Sequence, residues 1–234
     1  MTRKNDETRE IIITPHANHY AHGSAIIECG LTKVHVTAMV EESVPGFMRN
    51  QGRGWITAEY AMLPGSSSQR IRRDRKGVSG RSQEIQRLIG RSLRACIDLE
   101  KLGERTITID CDVLVADGGT RTTSITGAYV ALSLAVKKLL GDGVLSRSPL
   151  IEQIAAISVG VDKSNNVICD LNYEQDSSCE TDMNIVMTKT GKFIEIQGTA
   201  EGQPFEQAQL NEMIVIAKDA LAKIFEIQKT AIHS

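Results

Sequence analysis

The sequence predicts an α+β (mixed α/β) fold, a single domain over residues 1–234 with mixed sheets and packed helices. Three observations carry that expectation. Residues 106–115 (TITIDCDVLV) alternate with a period of two, which puts Ile107, Ile109, Cys111, Val113 and Val115 on one side of a strand. Ile85, Leu88, Ile89, Leu93, Cys96 and Ile97 recur at helical spacing and mark one face of a helix. Each half of the chain then reads as strands followed by a helix, not as a regular strand–helix alternation.

In chain order, Glu10–Thr14 is a β-rich run, Ser24–Cys29 alternates loosely, and Lys33–Val40 is β-branched and alternating. Residues 45–54 (PGFMRNQGRG) read as a loop before a short strand, Trp55–Tyr60. Pro64-Gly65-Ser66-Ser67-Ser68 is a flexible tip, and a helix is expected from Ser82. Asp117-Gly118-Gly119-Thr120-Arg121 breaks the central strand, and a second helix follows to about Leu140, with Gly141 as its C-cap. In the second half, Ile154–Val161 and Val167–Leu171 flank an Asn165-Asn166 hairpin turn. Asn184–Thr188 and Phe193–Gln197 flank a turn at Lys189-Thr190-Gly191-Lys192. The last helix is expected over Glu206–Phe225, with Leu210, Ile214, Ala217, Leu221 and Ile224 buried.

Hydrophobic residues make up 41% and charged residues 24%, the balance of a soluble globular protein. No apolar run approaches eighteen residues, so no membrane span is expected, and the polar start Met-Thr-Arg-Lys-Asn-Asp-Glu is not a signal or transit peptide. The five cysteines form no C-x-x-C pair, which reads as reduced structural thiols and a cytoplasmic location. The window Arg70–Arg94 holds nine basic residues against Asp74 and Glu84, a net +7 in a chain of net −2. A local field of that size attracts polyanions, although a solvated helix face would account for it too.

Two turns point to an anion site. In DGGTRTTS the glycines let the chain turn sharply at a helix start, where free N–H groups and the dipole favour negative charge. Arg121 in that turn is a cation at the positive end of the helix, which is mildly unfavourable unless something negative sits between. Arg81, after Gly77-Val78-Ser79-Gly80, repeats the pattern. Together the two arginines would clamp a tetrahedral oxyanion. A third feature is acidic: Asp170, Glu174, Asp176, Glu180 and Asp182 fall within thirteen positions. Such carboxylates bind a hard divalent cation or act as acid and base, or simply form a polar loop.

Other patterns are set aside. His16, His19 and His22 would splay on a strand or loop, and Lys189-Thr190-Gly191 lacks any Ser-x-x-Lys partner. There is no Walker A sequence, and aromatics at 4% are too few for a base-stacking platform.

Five long segments in order, QGRGWITAEYAMLPGSSSQR, GRSQEIQRLIGRSLRA, DCDVLVADGGTRTTSITGAYVAL, CDLNYEQDSSCETDMNIVMT and IEIQGTAEGQPF, resemble the bacterial ribonuclease PH family over essentially the whole chain. The resemblance implies a phosphorolytic 3′→5′ exoribonuclease, a nucleotidyltransferase that trims the 3′ ends of precursor tRNA. It implies inorganic phosphate as co-substrate, bound by Arg81, Gly119, Thr120 and Arg121, and a metal-assisted catalytic pair, Asp176 and Asp182, holding Mg²⁺. It implies RNA contacts from Arg70, Arg72, Arg73 and Arg75, and a hexameric ring built as a trimer of dimers. Ser82 departs from the family's usual Thr after the phosphate arginine. Two rivals remain open at this point: a non-catalytic RNA-binding ring subunit of the exosome type, and a metal-dependent hydrolytic nuclease that would ignore added phosphate.

Overall fold

In a computed structural model, residues 3–73 and 77–234 are described. Ile11–Pro15 (β1), Gly23–Cys29 (β2), Thr32–Glu41 (β3), Trp55–Met62 (β4) and Thr106–Val115 (β5) form one sheet in the order β1-β2-β3-β5-β4. All its pairings are antiparallel except β4 with β5. Between those two strands run the helices Gly80–Arg94 (α1) and Leu99–Leu102 (α2), the crossover that a parallel pair requires. The strands-then-helix reading of the first half therefore contains one strand–helix–strand unit.

Thr120–Gly141 (α3) follows β5 and packs on β2, β3 and, from its other side, on Ile154–Val161 (β6). Its burial is nearly all-round, as expected for a helix lacking a polar stripe. Gly127 permits the close approach, since a Cβ there would meet Ile27 at 2.7 Å and Val36 at 3.1 Å. The second sheet has the order β7-β6-β8-β9, with Val167–Cys169 (β7), Thr181–Thr188 (β8) and Phe193–Ala200 (β9). Helix Tyr173–Ser178 (α4) connects β7 to β8, and Gln207–His233 (α5) covers the far face of the second sheet. β6 is buried along its whole length because α3 and α5 cover its two sides. Along β8, Val186 joins the core around α3, whereas Met183, Ile185 and Met187 join the core under α5. By strand alternation Asp182 shares the face of Val186.

Several boundaries differ from the sequence reading. Gly141 is the last residue of α3 and not its cap: the cap is Asp142, and the left-handed residue that follows is Gly143 (φ +71°), whose N–H donates to the Leu140 carbonyl at 3.2 Å. β7 ends at Cys169 because Asp170 adopts φ +54°. β8 begins at Thr181, three residues before the expected strand, so Asp182 lies in a strand rather than a turn. Val115 is 42% exposed, so the buried side of β5 ends at Val113. α5 continues past Phe225 to His233.

Candidate active site

The parallel pair decides where a site forms. β4 and β5 end side by side, and each is followed by a helix whose N-terminus lies at that end of the sheet, the arrangement that makes a crevice in α/β proteins. The helix after β5 is α3, capped by Gly119 at φ +63° with no side-chain cap. Its first N–H groups are thus available to an anion. α1 is capped by Ser79, whose Oγ accepts from the Ser82 N–H at 3.2 Å, and Arg81 follows within the first turn. Between the two helix starts, the Tyr60 hydroxyl at the end of β4 bonds the Thr120 hydroxyl at 2.9 Å. Burial raises the Tyr60 phenol, while the Thr120 bond and the charges of Arg81 and Arg121 oppose that shift. The charges of both arginines thus reach the Tyr60 hydroxyl.

The Asp117-Gly118-Gly119 turn is built by contacts far apart in sequence. The Thr32 hydroxyl accepts from the Asp117 N–H at 2.9 Å and donates to the Gly118 carbonyl at 2.7 Å. Gly118 has φ +74°, and a Cβ there would lie 2.5 Å from the Leu171 carbonyl oxygen and 2.7 Å from the Tyr173 nitrogen. Only glycine lets the turn pack on the segment that starts α4. α4 is closed by a capping box between Asn172 and Gln175, and the Arg3 guanidinium holds the Gln175 side chain at 2.9 Å. That packing brings Asp176 on α4 toward the start of α3.

Asp176 and Asp182 come close enough there for their charges to interact. Desolvation, then the negative charge of Asp182, raise the Asp176 carboxyl above its ordinary value, and Arg121 and Arg81 pull it the other way. Four of the expected residues, on α1, α3, α4 and β8, thus share one electrostatic environment. The acidic cluster itself divides. Asp170 is 1% exposed and takes no part in the crevice: the Arg9 side chain donates to it at 2.7 and 3.0 Å, the Arg9 backbone at 2.8 Å, and the Cys29 thiol at 3.3 Å. Burial alone would raise the Asp170 carboxyl, but the bonds and charge of Arg9 outweigh it and hold it low. Arg9 also donates to the Asp117 carbonyl, so this buried pair supports the glycine turn from beneath. Glu180 turns away to accept from the Gln203 N–H at 3.0 Å.

Among the described residues no group of three or more His, Cys, Asp or Glu is placed to hold a metal ion. A carboxylate pair is nevertheless a donor set suited to Mg²⁺, which takes one or two carboxylates and completes its shell with water and phosphate oxygens. Arg70, Arg72 and Arg73 are exposed on the loop between β4 and α1, on the approach to Arg81; Arg75 lies outside the described residues. The reading of single residues missed Tyr60, Thr32 and the Arg9–Asp170 pair, whose roles come from strands distant in sequence. It also missed Gln197, whose side-chain oxygen accepts from Arg121 Nη1 at 3.0 Å.

The model of the 3′ exoribonuclease family, domain 1, matches residues 7–138, and that of domain 2 of the same family matches residues 152–220. Ribonuclease PH of Neisseria meningitidis serogroup C is 54% identical over 237 residues, covering 100% of this chain and 97% of that protein. Ribonuclease PH of Bacillus pumilus is 53% identical over 229 residues, covering 97% and 95%. Among solved structures, rice (Oryza sativa) Rrp46 superposes with a TM-score of 0.81 at 18% identity over 99% of this chain and 98% of its own. The Archaeoglobus fulgidus exosome with RNA bound to the active site gives 0.78 at 21% identity over 96% and 90%. At those identities the structural likeness concerns the fold. Full-length identity above one half, with both family domains matched in order, places the chain in the ribonuclease PH family of 3′ exoribonucleases.

Proposed function

We propose that the chain is a phosphorolytic 3′→5′ exoribonuclease acting on tRNA 3′ ends: RNA of n residues and phosphate give RNA of n−1 residues and a nucleoside 5′-diphosphate. The observation that carries this reading is the pair of arginines at the starts of α1 and α3, beside the Asp176–Asp182 pair. A hydrolase needs a carboxylate-held cation but has no use for a second, cationic anion cradle.

Arg81 and Arg121, with the backbone donors of Gly119 and Thr120, hold inorganic phosphate in line with the terminal phosphodiester. A phosphate oxygen attacks phosphorus, the bond to the 3′-oxygen of the preceding nucleotide breaks, and that oxygen takes a proton either from one of the two carboxyls, Asp176 or Asp182, in its protonated form or from a water held beside them. Asp176 and Asp182 would hold Mg²⁺, which offsets the charge developing on the phosphoryl oxygens. Most of the catalysis is then positioning and electrostatics. Arg70, Arg72, Arg73 and Arg75 lead the RNA to the crevice, and their exposure supports that role for the three that are described. Residues 1–234 act as one unit, as the packing of α3 on both sheets supports. The chain assembles as a homohexameric ring. It works in the cytoplasm, in keeping with five buried free cysteines and, among the described residues, no helix long and apolar enough to cross a membrane.

Arg81→Ala and Arg121→Ala each remove a charge-assisted contact to phosphate, about 1.5–3 kcal/mol. The expected loss in phosphate-dependent kcat/KM is roughly ten- to two-hundredfold, with Arg→Lys only partly restoring it because the fork is lost. Wild-type phosphate kinetics in either alanine variant would remove that residue from the site.

A further inference from the structure

The segment IEIQGTAEGQPF has no part in the mechanism above, yet it supplies the strand that reaches Arg121. Gln197 on β9 stands between Arg121 on α3 and Glu84 on α1. Its Oε1 accepts from Arg121 Nη1 at 3.0 Å, and its Nε2 donates to Glu84 Oε1 at 2.7 Å. The same Glu84 oxygen lies 3.5 Å from Arg121 Nη1. We infer that Gln197 is a positioning residue for phosphate binding, and that Glu84 sets its orientation.

The argument is one of donors and acceptors. A carboxylate only accepts, so the Glu84 partner must be the amide nitrogen of Gln197, and the amide oxygen is then turned to Arg121. The contacts to Arg121 use one terminal nitrogen, Nη1. A guanidinium held by that corner presents its remaining edge, Nε and Nη2, which is the geometry for bidentate contact with an oxyanion. A long side chain left to itself would lose that aim to rotamer freedom. Glu84 is one turn after Arg81 on the same helix, so the relay also ties the two phosphate arginines to a common frame. The position of β9 is secured separately: Arg91 on α1 donates to both carboxylate oxygens of Glu195, at 2.8 and 2.7 Å. Loss of the Gln197 amide should therefore disturb Arg121 without releasing the strand.

This inference rests on the phosphorolytic reading, and the experiment keeps the two apart. Gln197→Met retains length and removes both hydrogen bonds. Glu84→Gln retains an acceptor for Gln197 while removing the charge. For wild type and both variants, the rise in melting temperature with inorganic phosphate is measured alongside KM for phosphate, KM for RNA and kcat. In Gln197→Met, KM for phosphate should rise about tenfold and the phosphate-induced thermal shift should shrink, with KM for RNA and the phosphate-free melting temperature unchanged. Glu84→Gln should keep KM for phosphate within about threefold of wild type. An unchanged KM for phosphate in Gln197→Met, or an equal fall in every parameter including stability, overturns the positioning role. A wild-type protein that shows no thermal response to phosphate and needs none for activity overturns the phosphorolytic reading itself, and this inference with it.

Discussion

Replacing Asp182 with asparagine is expected to lower the single-turnover rate of RNA trimming by about a hundredfold or more, while RNA is held as tightly as by wild type or more tightly. The substitution keeps the size of the side chain and removes one negative charge. Asp182 lies in β8, which is anchored by Met183, 2% exposed, on one face and Val186, 1% exposed, on the other, so the strand does not depend on the carboxylate for its place. The substrate is a polyanion, and acids that face it without a cation would repel it. A cation held by the pair, as proposed above, would reverse the local sign. Removing one acid would weaken the hold on such a cation and ease the repulsion together. RNA affinity and single-turnover rate on the same folded variant separate the two effects. Cleavage at the wild-type rate would make the Asp176–Asp182 pair a polar surface and nothing more.

The largest effect on stability is expected at Asp170. Asp170→Asn takes from Arg9, whose side chain is 9% exposed, its hydrogen-bonded counter-charge and leaves only the Asp117 carboxylate, 3.9 Å away. Breaking a buried pair from one side costs about 3–5 kcal/mol. The sign with pH follows from the depressed Asp170 carboxyl. Its contribution is complete above the ordinary carboxylate range and is lost as pH falls through the lower folded value. The gap in unfolding free energy between wild type and Asp170→Asn should be widest near neutral pH and should narrow in acid below roughly pH 4. Denaturant unfolding at both pH values measures it; a gap under about 1 kcal/mol at neutral pH is the range of exposed pairs and would deny the buried pair its role. Because Arg9 also holds the Asp117 carbonyl, any folded fraction of this variant should show weakened phosphate use.

The sequence was most legible where a pattern is local. β5 runs over Thr106–Val115 as its alternation predicts, and the glycine turn before Thr120 starts α3. Legibility failed where a polar residue interrupts an apolar face and is satisfied from elsewhere. The apolar stripe of α5 breaks off after Phe225 because Gln228 stands on its buried side. In the fold, Gln228 is fully buried, donates to the carbonyls of Thr126 at 2.9 Å and Ile154 at 3.1 Å, and accepts from Gln153 at 2.9 Å. Asp182 likewise hid the first residues of β8: it lies on the face that meets α3, while its neighbour Met183 joins the core under α5. The division of the acidic cluster was beyond reach for another reason. Asp170 pairs with Arg9, 161 residues away, while Asp176, only six positions further on, faces Asp182 and the arginines. Residue type and spacing are alike for the two; the partners are not.

The most direct test of phosphorolysis is the chemical identity of the released nucleotide. The protein is incubated with a 3′-extended RNA, with and without inorganic phosphate, and the small products are separated. Nucleoside 5′-diphosphates should appear only when phosphate is present, in amounts equal to the residues removed. Nucleoside monophosphates released in phosphate-free buffer would contradict the account, since water would then be doing the work assigned to the anion between Arg81 and Arg121.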